Sequence, residues 1–272
     1  MSLSTVLYLF LAHLGVGIAA TLVFVDRGAG VKFFRFNAGL AAILIAVGIA
    51  FHAQGTSPAD ADASLGDSGL AALVISEAAV VLYWATVGRT LARIRPAIVG
   101  IAVAAGAAAV VLQGLGVAGH RAVPVQALTV ASFLTSATLL GGTCTAMILG
   151  HWYLVIPSMD VSFLQSIVKV HIASLLLRIA VVGAAIFFAI ATWEPGMGPS
   201  FRHYITSASG IFFWQRALFG LLGPALLAYM TWETAKIRST QSATGILYVD
   251  FFTVVVGEAL AKYIVLATRV PV

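Results

Sequence analysis

The sequence predicts an all-α membrane protein in which residues 1–272 form a single polytopic bundle of about eight transmembrane helices. Charged residues make up only 9% of the chain and hydrophobic residues 61%, whereas a soluble domain carries about 25% charged residues. The mean hydropathy is +1.03. Apolar runs of helix-spanning length recur from one end of the sequence to the other, and the connections between them are short. Short connections predict one bundle without a separate soluble domain.

Eight apolar runs define the predicted spans. In chain order they cover residues 4–25, 37–54, 69–88, 96–118, 127–150, 162–193, 208–232 and 243–268. The first run is similar to a signal peptide, but it lacks a preceding basic region and continues to Val25, so we expect a retained first span. The sixth run exceeds the length that a bilayer requires, and we expect it to tilt or to begin at the membrane surface.

Small residues are concentrated in the fourth and fifth spans. The fourth contains "GIAVAAGAAAVVLQGLG" and the fifth "TSATLLGGTCTA". Because small side chains let helix backbones approach closely in a membrane, these runs predict tight helix–helix contacts.

The loops alternate in charge along the chain. Basic residues occupy every second loop, namely Arg27, Lys32 and Arg35, then Arg89, Arg93 and Arg95, then Lys236 and Arg238. The loop after the second span is acidic instead, with Asp60, Asp62 and Asp67. The positive-inside rule therefore predicts that both termini lie on the outer, non-cytoplasmic face. We expect the membrane to be the cytoplasmic (inner) membrane of a prokaryote. The net charge of +5 is thus a topology signal and does not indicate a nucleic-acid partner.

The chain contains one cysteine, Cys144. A single thiol cannot form an internal disulfide, a four-cysteine zinc site or an iron–sulfur cluster. Any such cofactor has to be carried by a partner protein.

Several ionisable residues fall within the predicted spans, where they are rare, costly and usually face a polar interior. By depth, His52, Arg216, Glu258 and Lys262 belong to the outer half, His13 and Glu77 lie near the midplane, and His151, His171 and Asp250 belong to the inner half; Arg178 also lies in the sixth span. We therefore expect an outer cluster of both charge signs, drawn from spans one, two, three, seven and eight. The alternative is structural pairing. Glu258 and Lys262 stand four residues apart on one helix face, and Lys262 can also extend toward the membrane surface.

A quinone is the ligand that best suits this set of residues. Its two carbonyl oxygens need donors, its redox reaction needs groups that carry protons, and its ring needs an apolar slot. We assign the proton-carrying role to Glu77, His13 and His52. We expect Glu258, Lys262 and Arg216 to bind menaquinone or ubiquinone, with Tyr83 and Trp214 as aromatic walls.

Haem b is the second cofactor that the histidines allow, since it needs two axial histidines at matching depth. The pairs His13 with His52 and His151 with His171 fit that requirement. No span carries two histidines at the spacing of diheme bundles, so quinone binding is the favoured hypothesis.

The third hypothesis is a transporter or a purely structural membrane protein. A transporter often has inverted repeats with matching broken helices, and Pro224 in span seven has no evident counterpart.

The segment "GEALAKYIVLAT" in span eight resembles the last-span pattern of the membrane-anchor subunits of dimethyl-sulfoxide reductase and polysulfide reductase type enzymes. In those subunits a Gly-Glu pair is followed four residues later by a basic residue and then by aromatics, as at Gly257, Glu258, Lys262 and Tyr263. The family usually has arginine where this chain has Lys262, and lysine lacks the fixed donor geometry of arginine.

Single positions elsewhere extend the resemblance. His52 and Glu77 are similar to a span-two histidine and a span-three glutamate of the dimethyl-sulfoxide reductase type, and His13 is similar to a span-one histidine of the polysulfide reductase type. The resemblance implies a quinone-reactive anchor subunit of a respiratory complex. Its partners would be an iron–sulfur electron-transfer subunit and a catalytic subunit, commonly a molybdenum enzyme.

Overall fold

The computed structural model describes residues 2–53, 63–89, 91–156, 158–193 and 200–272. Within these ranges the regular structure is helical. The α-helices are α1 (Leu3–Thr21), α2 (Val31–His52), α3 (Ala63–Thr86), α4 (Arg95–Ala118), α5 (Val123–Val155), α6 (Val161–Ala191), α7 (Phe201–Thr206), α8 (Ile211–Ala217), α9 (Gly223–Lys236) and α10 (Thr240–Thr268).

The predicted all-α polytopic bundle is confirmed. In the described part of the chain, eight helical segments are long and apolar enough to cross a membrane. A 3₁₀ turn extends the first of them to Phe24. The seventh, Ala208–Lys236, is composite, because α8 is joined to α9 by a π-helical turn, Leu218–Leu222. Each of the other six is a single α-helix.

Several helix boundaries differ from the sequence prediction, and those of α2 and α5 change the position of ionisable residues. The helix α2 begins at Val31, six residues early, so Lys32 and Arg35 lie on its first turns and not in a loop. The Arg35 guanidinium packs over the Trp84 ring at 5.3 Å, which is how a long basic side chain is accommodated at a helix end. The helix α5 continues to Val155 and therefore includes His151.

An even number of spans places the start of α1 and the end of α10 at the same end of the bundle. Following the loop charges, we call this the outer end and the opposite one the inner end. Of the acidic residues in the predicted outer loop, Asp67 lies in α3, whereas Asp60 and Asp62 fall outside the described residues.

At the inner end, α5 and α6 are joined by a short turn. The Tyr153 hydroxyl of α5 donates to the main-chain oxygen of Asp160 and accepts the N–H of Leu164 at 3.2 Å. Asp160 caps α6 by accepting the N–H of Ser162 at 2.9 Å, and this bond holds the pKa of Asp160 below its ordinary value. The two longest helices are thereby fixed as antiparallel neighbours.

The helices α1, α5 and α10 form the centre of the bundle. Buried side chains occur on all sides of α1 between Ala12 and Ala19, because α1 packs against α2, α4, α5 and α10. In turn α5 packs against α6 and α10. The outward faces of α10 and of the peripheral helices are apolar and exposed, as at Phe252 of α10 and Phe187 of α6, which is expected for surfaces in contact with lipid.

Close contact between α1 and α5 depends on two glycines, as the small-residue runs predict. A methyl group built on Gly17 would overlap the main chain at Ala137, and one built on Gly141 would overlap the main chain at Gly17. The two backbones therefore touch directly. This contact holds the central helix against the helix that carries two serines of the site described below.

We predict that Gly141→Ala destabilises the bundle by about 1–3 kcal/mol, because the added methyl group can be accommodated only by moving α1 away from α5. The control is Gly183→Ala on α6, where the added methyl group meets nothing within 4 Å and helix propensity alone favours alanine by about 1 kcal/mol. Thermal unfolding of both variants in detergent gives the comparison. Equal stability of the two variants would contradict the direct backbone contact.

Candidate functional site

Four ionisable side chains meet in the outer half of the bundle. Arg178 of α6, Arg216 of α8, and Glu258 and Lys262 of α10 are each at most 1% exposed. We call these four residues the outer charged cluster. It contains three basic groups and one carboxylate, an unusual excess of positive charge for the interior of a membrane protein.

Arg178 and Glu258 form the central interaction of the outer charged cluster. The Arg178 Nε and Nη2 atoms donate to the two carboxylate oxygens of Glu258 at 3.0 and 3.1 Å. Arg178 Nη1 donates to the hydroxyl of Ser132 at 2.6 Å and to its main-chain oxygen at 3.1 Å. The fork geometry of arginine matches the carboxylate, and its remaining donors are used on α5 and on the main-chain oxygen of Val272 at 3.3 Å.

Arg216 approaches the same carboxylate from span seven. Its Nη2 donates to Glu258 Oε1 at 2.8 Å. The Nε and Nη1 atoms are buried and have no hydrogen-bond partner. A buried guanidinium rarely leaves donors unpaired, because each one carries a desolvation cost. These two nitrogen atoms are therefore the donors of the outer charged cluster that are free to bind a ligand.

Two glycines and the π-helical turn set the position of Arg216. A methyl group on Gly257 would overlap Gly220, and one on Gly220 would overlap the Arg216 guanidinium. The π-helical turn, which contains Gly220, follows α8 directly. Such turns add one residue to a helical turn and are frequent at functional sites. Gly257, part of the Gly-Glu pair noted in the sequence, is needed for this close approach.

Lys262 does not pair with Glu258. Its Nζ atom donates to the hydroxyl of Ser136 at 2.6 Å and lies over the Phe133 ring at 4.8 Å from its centroid. No ion pair joins Lys262 to Glu258 in the described residues, and Lys262 is 1% exposed. The alternative of an intrahelical ion pair with a lysine extending to the surface is therefore wrong. The carboxylate is already taken by two arginines from other helices.

Two hydrogen bonds, with a ring contact at each end, link this region to His52 at the outer end. The His13 ring lies 4.9 Å from the Phe133 ring, and its Nε2 contacts Gln113 Oε1 at 3.2 Å. Gln113 Nε2 donates to the Tyr8 hydroxyl at 2.8 Å. The Tyr8 and His52 rings meet edge to face at 4.6 Å.

Three of the predicted site residues lie apart from the outer charged cluster. Glu77 is half-buried on α3 with Oε2 unpartnered, and no hydrogen bond or ion pair joins it to the cluster in the described residues. Tyr83 lies near the inner end of α3 beside Ala102 of α4. Trp214 is 53% exposed and donates to the main-chain oxygen of Ile205 at 3.1 Å. The structure thus brings together His13, Arg216, Glu258 and Lys262, with His52 connected through Tyr8.

A second polar group lies in the inner half of the bundle. His171 of α6 and Asp250 of α10 approach to 2.7 Å between Nε2 and Oδ2. The Thr143 hydroxyl of α5 lies 3.0 Å from His171 Nδ1. All three side chains are fully buried. We call them the inner triad. Nearer the inner end, His151 Nδ1 lies 2.9 Å from the exposed Tyr248 hydroxyl.

The positions of the histidines bear on the haem alternative. Both ring nitrogens of His171 face protein atoms, Thr143 and Asp250. His13 Nε2 is engaged by Gln113, and the Tyr8 ring lies against His52. An axial ligand needs a nitrogen directed at open space. In this arrangement His171 has no ring nitrogen directed at open space. His13 and His52 are separated by Gln113 and Tyr8.

A cavity of about 420 Å³ lies at the outer end, next to the outer charged cluster. Its walls include the aromatic side chains of Phe188, Trp193, Phe201 and Tyr204, and it is also lined by Arg121 and Arg269. Three of its wall residues continue inward to the cluster along their own helices. Leu128 is one turn from Ser132, Ala185 is about 10 Å from Arg178, and Ala267 is about 8 Å from Lys262.

A short segment separates the cavity from the outer charged cluster. Arg269, with φ of +61°, turns the chain back at the end of α10. Val270 and Pro271 then line the cavity, and Val272 is buried against Arg178. The cavity and the cluster are thus next to each other with only this segment between them.

Several residues of the site were not assigned to it by the sequence analysis. Arg178, noted there only as a charge in the sixth span, is the most important, and Ser132, Ser136, Gln113 and Tyr8 complete the contacts. A signal for Arg178 was present, because it lies seven residues from His171, and residues two turns apart share a helix face. The polar but uncharged residues carry no such signal, since serine and glutamine in a span are common packing residues.

No family model matches the chain, and neither do any curated proteins or solved structures.

We predict that Glu258→Gln lowers the free energy of unfolding by about 3–5 kcal/mol, because it leaves Arg178 and Arg216 buried without a counter-charge. The control is Glu233→Gln, which removes an exposed pair with Lys236 and is expected to cost roughly 0–1 kcal/mol. Unfolding of both variants by heat in detergent measures the difference. A Glu258→Gln protein as stable as the control would show that the carboxylate does not hold the two arginines.

Proposed function

We propose that this chain is a membrane subunit of a quinone-linked oxidoreductase, which binds the headgroup of menaquinone or ubiquinone in the outer half of the bilayer and exchanges protons with it. The observation that carries the proposal is the outer charged cluster. Three buried cationic groups surround one carboxylate, two arginine donors are unpaired, and an aromatic-lined cavity lies alongside.

The charge of the cluster favours an electron-rich ligand. Two net positive charges in a bundle interior are costly unless something with negative charge density approaches them. A quinone carbonyl oxygen accepts hydrogen bonds, and reduction of quinone to quinol takes up two electrons and two protons. Arg216 Nε and Nη1 are the available donors, and Lys262 contributes its charge. Both groups stabilise the ligand more as negative charge develops on its oxygens.

The cavity supports binding of the ring. At about 420 Å³ it has the volume of a small-molecule site. The rings of Phe188 and Tyr204 offer apolar walls, and Arg121 and Arg269 line the same space. We assign the headgroup to this cavity, with one oxygen directed toward the outer charged cluster past Val270 and Pro271.

The proton path in this proposal runs through His13. Because the Gln113 amide group donates to Tyr8, its oxygen is left to accept from His13 Nε2–H. The other nitrogen, Nδ1, is then a buried acceptor without a partner. We therefore assign proton uptake near Lys262 to His13. Outward from His13, the hydrogen bonds run through Gln113 to Tyr8, and the Tyr8 ring then packs edge to face on His52. Glu77 is not needed on this path.

Electrons have to pass to or from another protein. The only cysteine, Cys144, is buried and cannot hold a cluster alone. We therefore propose an iron–sulfur subunit as the electron-transfer partner and a catalytic subunit beyond it. This part of the proposal rests on the resemblance of span eight to the anchor subunits of dimethyl-sulfoxide reductase and polysulfide reductase type.

Ion-coupled transport is the second candidate function. The π-helical turn next to Arg216 favours it, because local breaks in α-helical geometry beside buried charges are common in transporters. Reconstitution of the chain alone into vesicles distinguishes transport from the oxidoreductase function. Uptake of an ion or solute driven by a pH gradient favours transport, and quinone binding without uptake favours the oxidoreductase subunit.

We predict that Lys262→Met weakens binding of a short-chain quinone by about 10- to 100-fold, since a hydrogen bond or contact involving a charged group contributes about 1.5–3 kcal/mol. Lys169→Met is the matched control, because Lys169 is exposed and lies over Trp232. Binding is measured by quenching of tryptophan fluorescence in purified, correctly folded protein. Unchanged affinity in Lys262→Met would remove Lys262 from the site, and an equal loss in the control would indicate a nonspecific effect.

We also predict that the chain, purified in mild detergent from its native membrane, brings with it a protein that contains iron–sulfur clusters. Electron paramagnetic resonance of the reduced sample detects such clusters. The control is the same membrane extract passed over the resin without the tagged chain. A clean preparation of this chain that binds quinone without any redox partner would contradict the assignment to a respiratory complex.

A further inference from the structure

The inner triad has no role in the proposed quinone site. Asp250 lies eight residues before Glu258 on α10, and His171 lies seven residues before Arg178 on α6, so about 10–12 Å of helix separates the two groups. The triad is fully buried, and among the described residues its only ionic contact is internal. A buried ion pair is weak evidence for stability, because apolar residues of similar volume often do as well.

The hydrogen bonds fix which nitrogen of His171 carries a proton. The Thr143 hydroxyl donates to the main-chain oxygen of Leu139 at 2.7 Å. Its oxygen is therefore left to accept, and the group that faces it is His171 Nδ1–H at 3.0 Å. In the neutral imidazole the second nitrogen, Nε2, is then an acceptor with a lone pair.

This lone pair faces a carboxylate oxygen at 2.7 Å. Two acceptors cannot stay that close without a proton between them, so the pair holds one proton. We place it on Asp250 Oδ2, because the neutral pair avoids two separated charges in a fully buried site. The Asp250 carboxylate has no hydrogen-bond partner at either oxygen, and the contact itself is not aligned as a hydrogen bond. Release of the proton leaves an uncompensated carboxylate opposite a lone pair, so the two protonation states differ strongly in the force between α6 and α10.

The charge of the inner triad changes mainly through the gain or loss of this proton. In the inner half of the packed elements, the titratable side chains are Cys144, His151 and Tyr153 on α5, Lys169 on α6, Tyr229, Glu233 and Lys236 on α9, and Tyr248 on α10. Of these, Cys144 and Tyr153 are buried, and the Tyr153 hydroxyl is engaged at the turn between α5 and α6. Arg178 and Glu258 are paired with each other two turns away. Toward the inner end, polar groups continue at Thr244, whose hydroxyl contacts the Gly150 carbonyl at 2.8 Å, and at the His151–Tyr248 contact.

We propose that Thr143, His171 and Asp250 form a proton-binding site, which loads and releases one proton from the inner side of the bundle. The ligand is a proton shared by imidazole and carboxylate, and Thr143 is the positioning residue that fixes the imidazole tautomer. Nothing is oxidised or reduced at the triad, and the transferred proton goes to or comes from the inner aqueous phase. The proposal is independent of quinone binding.

Infrared difference spectroscopy of the full chain in lipid tests this directly. Spectra are recorded between about pH 5 and about pH 8, the range in which an imidazole ordinarily titrates. We expect a carbonyl stretching band of a protonated carboxyl group that changes with pH. Aspartate labelled with carbon-13 at the side-chain carboxyl should shift this band in the unmodified protein. A titrating band that ignores the label, or the absence of any titrating band, overturns the proposal.

Three variants assign the band to the triad. Asp250→Asn should abolish it, whereas Glu233→Gln, which alters an exposed carboxylate on α9, should leave it unchanged. Thr143→Val keeps the shape of the residue but frees His171 to carry its proton on Nε2, where it donates to the ionised Asp250. The extra proton is then no longer required, and the band should appear only at lower pH. An unshifted band in Thr143→Val contradicts the tautomer argument, even if Asp250→Asn fails to fold.

The same experiment separates a proton from a metal cation. Sodium replaces potassium at constant ionic strength, and the pH at which the band is half-maximal is compared. An unchanged midpoint supports a proton site. A midpoint that shifts with sodium shows that a cation competes for Asp250 and overturns the assignment.

Discussion

The ion pair between Arg178 and Glu258 is the interaction on which the arrangement of the bundle depends. On a protein surface such a pair contributes roughly 0–1 kcal/mol. In a membrane interior an unpaired carboxylate costs several kcal/mol, so Glu258 on α10 requires cations from other helices. Arg178 comes from α6 and Arg216 from α8, and the spare donors of Arg178 reach Ser132 on α5. One carboxylate therefore fixes the relative positions of four helices that lipid alone would not order.

The polar groups of this bundle are organised in two layers along the same three helices. Helix α5 contributes Ser136 and Thr143, seven residues apart. Helix α6 contributes Arg178 and His171, also seven apart, and α10 contributes Glu258 and Asp250. Spacings of seven or eight residues return to the same helix face after two turns. Between the layers the interface is apolar, with Leu175 and Val254 among its buried residues. The protein thus keeps its charge in two separate compartments at different depths.

The sequence was sufficient for the fold and for part of the site. Apolar runs predict the eight spans, because a helix is almost the only structure that satisfies the backbone hydrogen bonds of such a segment inside a bilayer. Glu258, Arg216 and Lys262 stand out because charge is costly there. Arg178 carries the same signal, but its pairing with Glu258 does not show, since a sequence gives neighbours along a helix but not between helices. The four-residue spacing of Glu258 and Lys262 indicated a pair, yet stronger bidentate donors from α6 were available in space. Glu77 carries the same chemical signal as Glu258 but belongs to α3, away from the cluster.

The π-helical turn of span seven gives the helix an adjustable register. A residue added to one helical turn rotates everything before it by about 100° relative to everything after it. Arg216 belongs to the part before the turn, and the stretch that packs on α6, near Gln165 and Ala235, belongs to the part after it. If the extra residue moved past Arg216 into α8, Arg216 would join the register of α9 and turn relative to Glu258, while α9 stayed in place. The direction of this buried guanidinium is therefore set by the position of one extra residue in span seven.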